Sequence, residues 1–217
     1  MKIKKLSHCC LVIDIEKTRI LLDPGSFSVE EHRHVKDADL ILITHEHQDH
    51  FHVESLKELV KRMPEVKVIT NDRVGEMLAK EGIGHNVMRH GDKIDHEGIS
   101  IRAFGKDHAI MHSSIAPVSN IGFHIQGKKS ETTFFFPGDA FTNPNAHVDV
   151  LALPVAGPWM KISEAIDYAL ALNPKMAFPV HDGVSTIKGF MHIFVEKIVA
   201  AKGIEFIKIE DGGEFEA

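Results

Sequence analysis

The apolar and polar positions first repeat every two residues and later every three to four. Residues 3–6, 10–15 and 19–22 read as an opening run of strands, with a turn at Glu16-Lys17 and a stop at Asp23-Pro24-Gly25. Residues 40–43 are apolar throughout, the pattern of a more fully buried strand. Residues 53–63 have helical spacing and end before Pro64. A strand is predicted over 66–70 and a helix over 72–80, with Asn71 as N-cap and Gly82 just past the end. The middle of the chain is strand-rich at 99–104, 121–126, 132–136 and 148–153. Ser163 is placed to cap a helix running to Leu172, with Glu164 in its first turn. A strand at 176–180, a helix at 187–201 and a strand at 205–209 complete the pattern. Strands followed by strand–helix alternation in both halves predict an α/β (α+β) fold, its sheets covered by helices on their outer faces. No linker, low-complexity segment or short repeat interrupts it, and 217 residues fit a single domain over 1–217.

Unusual residues stand at the predicted strand ends. Asp23 follows one strand, and "THEHQDH" at Thr44 to His50 follows another. His108 lies just past a third, Asp139 follows "TFFFPG", and His181 follows "MAFPV". Strand ends converge on one rim of a sheet, so these distant segments are expected to meet. His45 and His47 are two apart and point the same way in an extended segment, which lets them pinch one metal ion. Asp49 and His50 come after the chain turns and need not reach that ion, so the spacing argues for two adjacent metals. The helical zinc-protease pattern is absent, because Asp49 stands where its second histidine would be.

Composition narrows the partners. Hydrophobic residues make up 43% of the chain, a globular fraction. Lys+Arg number 25 against 31 Asp+Glu, a net charge of -6. The nearest basic run, Lys2 to Lys5, reads as a solvated strand start, so no nucleic-acid partner is expected. No apolar run approaches the ~20 residues of a membrane span and no signal-peptide pattern precedes the first strand, so the expectation is a cytoplasmic protein without a membrane partner. The only cysteines, Cys9 and Cys10, are neighbours and poorly disposed for a disulfide; as metal ligands they lack support from cysteines elsewhere. The 16 histidines are far above average usage. His32, His34, His52, His85, His90, His96, His124, His147 and His192 are read as ordinary.

"THEHQDH", "LLDPG" at Leu21 to Gly25, "PGDA" at Pro137 to Ala140 and "PVHDG" at Pro179 to Gly183 together resemble the metallo-β-lactamase superfamily of metallohydrolases. The similarity covers nearly the whole chain and is closest to a small, single-domain branch that includes L-ascorbate-6-phosphate lactonase-like proteins. It implies a four-layer αβ/βα sandwich with metals at one edge. It further implies that His45, His47 and a third histidine hold the first metal, that Asp49, His50 and His181 hold the second, and that Asp139 bridges both. The third histidine is His108 or His112; His108 is preferred because it follows its strand directly. The implied cofactors are two divalent metal ions, zinc foremost, with manganese or iron accommodated by the same donors. The implied reaction is attack by a metal-bridging hydroxide on a small polar or anionic ester (a lactone, a phosphodiester or a sugar-phosphate derivative), with Asp49 orienting the hydroxide. Asp23 is expected behind the ligands, and His8, His112 and Lys161 border the site. His8 stands in "SHCC", a departure from the family's Gly-His-Ala. The alternatives are a non-catalytic metal-binding or regulatory protein and a mononuclear-iron sulfur dioxygenase. The expected partner is a small-molecule substrate, and a homo-oligomer stays open.

Overall fold

The short apolar periods assemble into two sheets of seven strands each. A computed structural model describes residues 1–217, apart from the side chain of Lys188. The N-terminal half comprises β1 (Lys2–Ser7), β2 (Cys10–Ile15), β3 (Thr18–Leu22), α1 (Val29–His32), β4 (Leu40–Leu42), α2 (Val53–Arg62), β5 (Lys67–Thr70), α3 (Asp72–Lys80) and β6 (Asn86–Val87). Next come β7 (Lys93–His96), β8 (Ile99–Phe104), β9 (Gly122–Gly127), β10 (Thr133–Phe136), β11 (Val150–Pro154), α4 (Ile162–Leu172) and β12 (Met176–Val180). The chain closes with α5 (Lys188–Ala200), β13 (Glu205–Phe206) and β14 (Glu214–Glu216). The first sheet has the order β14-β1-β2-β3-β4-β5-β6 and the second β13-β12-β11-β10-β9-β8-β7. Each joins antiparallel hairpins to a parallel run, β3 to β6 in one and β10 to β13 in the other.

Successive strand residues face opposite sides, and here both sides are buried. Ile20, Leu22, Leu40 and Leu42 meet Ile101, Phe123, Phe134 and Phe136 between the sheets. Their neighbours Leu21 and Ile41 point outward under Leu56, Leu59, Val74 and Leu78 of α2 and α3. Phe135 and Leu151 do the same beneath Ala165, Ala169, Val195 and Val199 of α4 and α5. The result is a four-layer αβ/βα sandwich. Fully burying one such large side chain contributes roughly 1.5–3 kcal/mol.

The structure corrects several expectations. Lys5 is not solvated: it is 0% exposed, and its Nζ lies 2.7 and 2.8 Å from the two carboxylate oxygens of Asp182. A basic run on an edge pattern gave no sign of a carboxylate arriving from the far end of the chain. Helix α4 starts before Ser163. Lys161 is its N-cap, its amide donates to Glu164 Oε2 at 2.6 Å, and Ser163 falls inside the first turn. The last predicted strand ends early, at Phe206. The elements α1, β6, β7 and β14 escape the apolar pattern because each is short, with at most one side chain directed at the core in β7 and β14.

Candidate metal centre

The rim forms where strands from both sheets end. β3 delivers Asp23, β4 delivers His45, His47, Asp49 and His50, β10 delivers Asp139, and β12 delivers His181. His108 follows β8, and the tip of the β1–β2 hairpin adds His8 and Cys9. Three of these residues have left-handed backbones: His8 (φ 52), Asp23 (φ 41) and His181 (φ 60). Such conformations cost about 1–3 kcal/mol each in a non-glycine residue and persist where the surroundings over-determine them. Gly25 is required by the packing, since a Cβ there would sit 1.9 Å from the Asp49 carbonyl oxygen. Gly138 combines φ +64 with a Cβ position 2.3 Å from Asn120 Oδ1. That Asn120 oxygen accepts the Asp139 amide, and its Nδ2 donates to the Pro137 carbonyl. The β10 turn is thereby held in place by a residue that no sequence motif marks.

Potential ligand atoms fall into two groups. Those of His45, His47, His108 and Asp139 lie within 4.8 Å of one another, as do those of His8, Cys9, His50 and His181. Asp139 touches both groups, at 3.3 Å from His108 Nε2, 2.9 Å from His181 Nε2 and 3.1 Å from His50 Nε2. Of the two candidate third histidines, His108 reaches the cluster. His112 is exposed and bonds to Ser114 instead.

The partners behind the imidazoles set their proton positions. Asp23 Oδ1 accepts the Thr44 amide, and Oδ2 accepts the Thr44 hydroxyl at 2.7 Å. His50 Nδ1 donates to that same Oδ2 at 2.6 Å, leaving Nε2 as the nitrogen that faces Asp139. The Thr44 oxygen in turn accepts from His45 Nδ1 at 2.9 Å, which leaves His45 Nε2 as an acceptor, 3.1 Å from His47 Nδ1. His108 Nδ1 donates to the Ala109 carbonyl at 2.6 Å, which turns its Nε2 toward Asp139 Oδ2 at 3.3 Å. Such outer partners fix the ring orientation of metal-ligating histidines. His8 differs. Its Nδ1 accepts the Gly183 amide, so the proton is on Nε2, which donates to Asp49 Oδ2 at 3.1 Å. His8 thus holds Asp49, and both of its ring nitrogens are committed.

These donors fit a bound cation. His50 Nε2 and Asp139 Oδ1 are buried 3.1 Å apart, yet neither has a hydrogen-bond partner. Buried polar atoms are rarely left unpaired. Two ligand atoms this close without a shared hydrogen bond face a common space that a metal ion would satisfy.

Electrostatics separates the groups. Burial, joined by the nearby His50, holds His45 well below the usual imidazole value, and burial with His108 lowers His47. Burial also opposes charge on His50 and His181, but Asp139 outweighs it and raises both well above the usual value. Burial likewise opposes ionisation of Asp139, yet His50 and His181 hold its carboxyl well below the ordinary range. At Cys9 burial pushes the thiol up, while His8, His50 and His181 bring it down to about 7.

Trp159 is buried and donates from its indole to Asp139 Oδ2 at 3.1 Å. Lys161, two residues on, is exposed, and among the described residues its side chain makes no ion pair. Asp182 follows His181 and joins Lys5 to His192, whose Nε2 lies 3.2 Å from Asp182 Oδ2. His32 and His124 are buried too, bonded to Ser28 Oγ and to the His147 carbonyl, well apart from the two ligand groups. Thr44, Asn120 and Lys5 carry no chemical signature of their own, and only the convergence of chain segments exposes their roles.

Comparison with known proteins accords with this geometry. Residues 2–181 match the family model of the beta-lactamase superfamily domain. Protein Rv0786c of Mycobacterium tuberculosis is 35% identical over 85% of each chain. The UPF0173 metal-dependent hydrolase NEQ378 of Nanoarchaeum equitans is 28% identical over 100% of both chains. Among solved structures, Igni18, a metallo hydrolase from the hyperthermophilic archaeon Ignicoccus hospitalis, shares the fold with a TM-score of 0.80 at 21% identity, over 100% of this chain and 98% of that one. With the family matched along most of the chain and the His/Asp cluster at the shared rim, the protein belongs to the metallo-β-lactamase superfamily, among its metal-dependent hydrolases.

Proposed function

We propose that the rim is a two-metal hydrolytic centre acting on a small polar or anionic ester, such as a lactone, a phosphodiester or a sugar-phosphate derivative. The observation that carries this reading is the pair of buried, unpartnered ligand atoms on His50 and Asp139, flanked by two groups of convergent donors. His45, His47, His108 and Asp139 would hold one ion; Asp49, His50, His181 and the same Asp139 would hold the other. Zinc suits this mixture of imidazole and carboxylate donors. When bound, such ions supply Lewis acidity toward a carbonyl or phosphoryl oxygen and make water acidic enough to act near neutral pH.

The protein's own groups do the rest. The Asp49 side chain is 21% exposed, against 0–3% for those of His45, His50, Asp139 and His181, and with the half-buried His47 it would meet incoming substrate and water. Contacts with His181 and His8 outweigh burial and hold its carboxyl far below the ordinary range, so it stays ionised and would orient a water molecule by accepting its hydrogen bond. The His8 hydrogen bond fixes which way that carboxylate faces. Trp159 holds the Asp139 carboxylate through its indole N–H and packs edge-on against His108 and His181. Lys161, exposed two residues beyond Trp159, would meet an anionic substrate group.

A second reading has its own support. Phe27, Ile110, Met111, Ile115 and Val184 are 40–66% exposed on three segments that adjoin site residues. Their presence favours an ester with an apolar arm.

Elemental analysis of protein purified without added metal tests the centre: about two equivalents are expected, and no bound transition metal under any loading condition overturns it. Lactones, nucleotide phosphodiesters, thioesters and β-lactams, assayed with zinc-, manganese- and iron-loaded protein, test the substrate class. Turnover confined to apolar esters or thioesters and unchanged in Lys161→Ala replaces the anionic reading with the second one.

A further inference from the structure

Cys9 occupies the tip of the β1–β2 hairpin, and the sequence offers no companion cysteine to suggest a metal role for it. The fold changes that reading. Cys9 and Cys10 are neighbours on a strand pair and face opposite ways: Cys10 packs outward with Leu21 and Ile41, while Cys9 packs inward, between the sheets. Its sulfur lies within 4.8 Å of ligand atoms of both His50 and His181. The residue is 1% exposed, so water does not reach it freely. His8, the fourth member of that group, has both ring nitrogens engaged, by the Gly183 amide and by Asp49. His50 Nε2 is buried and unpartnered, and the other nitrogen of that ring is bound to Asp23. An unpartnered ring nitrogen and a thiol therefore face the same enclosed space.

We propose that Cys9 is a sulfur ligand of the metal position formed by His50 and His181. The proposal rests on the reading of the rim as a metal centre and gives its two positions different chemistry. The position at His45, His47 and His108 has nitrogen and oxygen donors only. The position at His50 and His181 gains a soft thiolate, which selects zinc or cobalt over manganese and magnesium. On binding, the S–H bond breaks heterolytically, the electron pair stays on sulfur and forms the metal bond, and the proton leaves to solvent.

Cobalt(II) loading of the full chain tests this spectroscopically. Visible d–d bands report binding at any position, and a near-ultraviolet thiolate-to-cobalt charge-transfer band reports sulfur ligation. Both are expected in the parent and in Cys10→Ser. Cys9→Ser is expected to lose the charge-transfer band, keep the d–d bands, and give up roughly 10–100-fold of the preference for zinc over manganese in competition, a loss at least that of removing an outer partner of a ligand. A parent spectrum with d–d bands and no charge-transfer band overturns the proposal without recourse to any variant. Persistence of the band in Cys9→Ser overturns it too. Failure to bind cobalt at all sinks the metal-centre reading itself, and Cys9 ligation with it.

Discussion

Around His45 and His47 the nearest titratable groups are mostly other imidazoles; around His50 and His181 they are carboxylates. Burial and neighbouring histidines keep the first pair neutral, with lone pairs ready for a metal. Burial is outweighed by Asp139 at the second pair, which stays protonated in the metal-free protein. One compact sequence motif thus supplies residues to two unlike environments. On the two-metal reading, a metal entering the first would find its ligands deprotonated, and at the second it would have to displace protons from His50 and His181.

The largest expected effect comes from the one carboxylate of the centre that is partly open to solvent. Asp49→Asn should lower kcat by roughly 10²–10⁴-fold, the range for losing a proton-handling group, with the circular dichroism spectrum unchanged. Full activity on a confirmed substrate would remove Asp49 from its role. Paired variants sharpen the comparison. His45→Ala with His47→Ala should empty the first position and leave the second filled, as read by metal content per chain.

Next is Lys5→Met. It leaves Asp182 buried beside His181 with His192 as its remaining ionic partner among the described residues, and it should cost about 3–5 kcal/mol, the range for breaking a buried pair. Denaturant midpoints check this, and a shift under about 1 kcal/mol would mean that the pair is replaceable there. Asp23→Asn should weaken metal binding by about 10–100-fold. Asp23 contacts His50 directly and His45 through Thr44, so both positions should weaken, the His50 position more. Equal weakening would break the distinction between the two halves.

The pH response follows from the signs. His50 and His181 are raised in the folded chain, so their contribution to metal-free stability is fully present below about pH 6.5 and is lost as pH rises through their folded values. Asp49 and Asp139 are depressed, so theirs is present above about pH 3.9 and lost as pH falls through their folded values. Metal affinity at the second position should therefore rise with pH more steeply than at the first. Competitive titration between mildly acidic and mildly alkaline pH reads the two slopes, and parallel slopes would remove the contrast. The smallest effect is expected from Lys161→Ala: stability within about 0.5 kcal/mol, with any loss confined to KM for anionic substrates.

Much of the fold and the candidate site was legible in the chain. Apolar runs at 40–43 and 150–154 announce strands buried on both faces, because four or five consecutive apolar side chains are too short for a helix and suit a strand covered on both sides. The donors at His45, His47, Asp49, His50, His108, Asp139 and His181 were visible as residue types placed at strand ends. Short edge strands such as Glu214–Glu216 were not legible, since alternating Glu, Phe and Glu resembles a solvated tail until Phe215 finds the core. Lys5 looked like surface charge for the same reason.

What the sequence determined by itself was which donors exist and which strand ends carry them, because local spacing and apolar periodicity act over a few residues. The tertiary structure decided how those donors are tuned. Lys5 meets Asp182 across 177 positions, and His8 accepts the Gly183 amide across 175. The imidazoles that stay neutral, the nitrogens that keep their protons and the cysteine that faces the centre all follow from charges and hydrogen bonds reaching through space between two sheets, and those interactions fall off with distance in the folded molecule, whatever the separation along the chain.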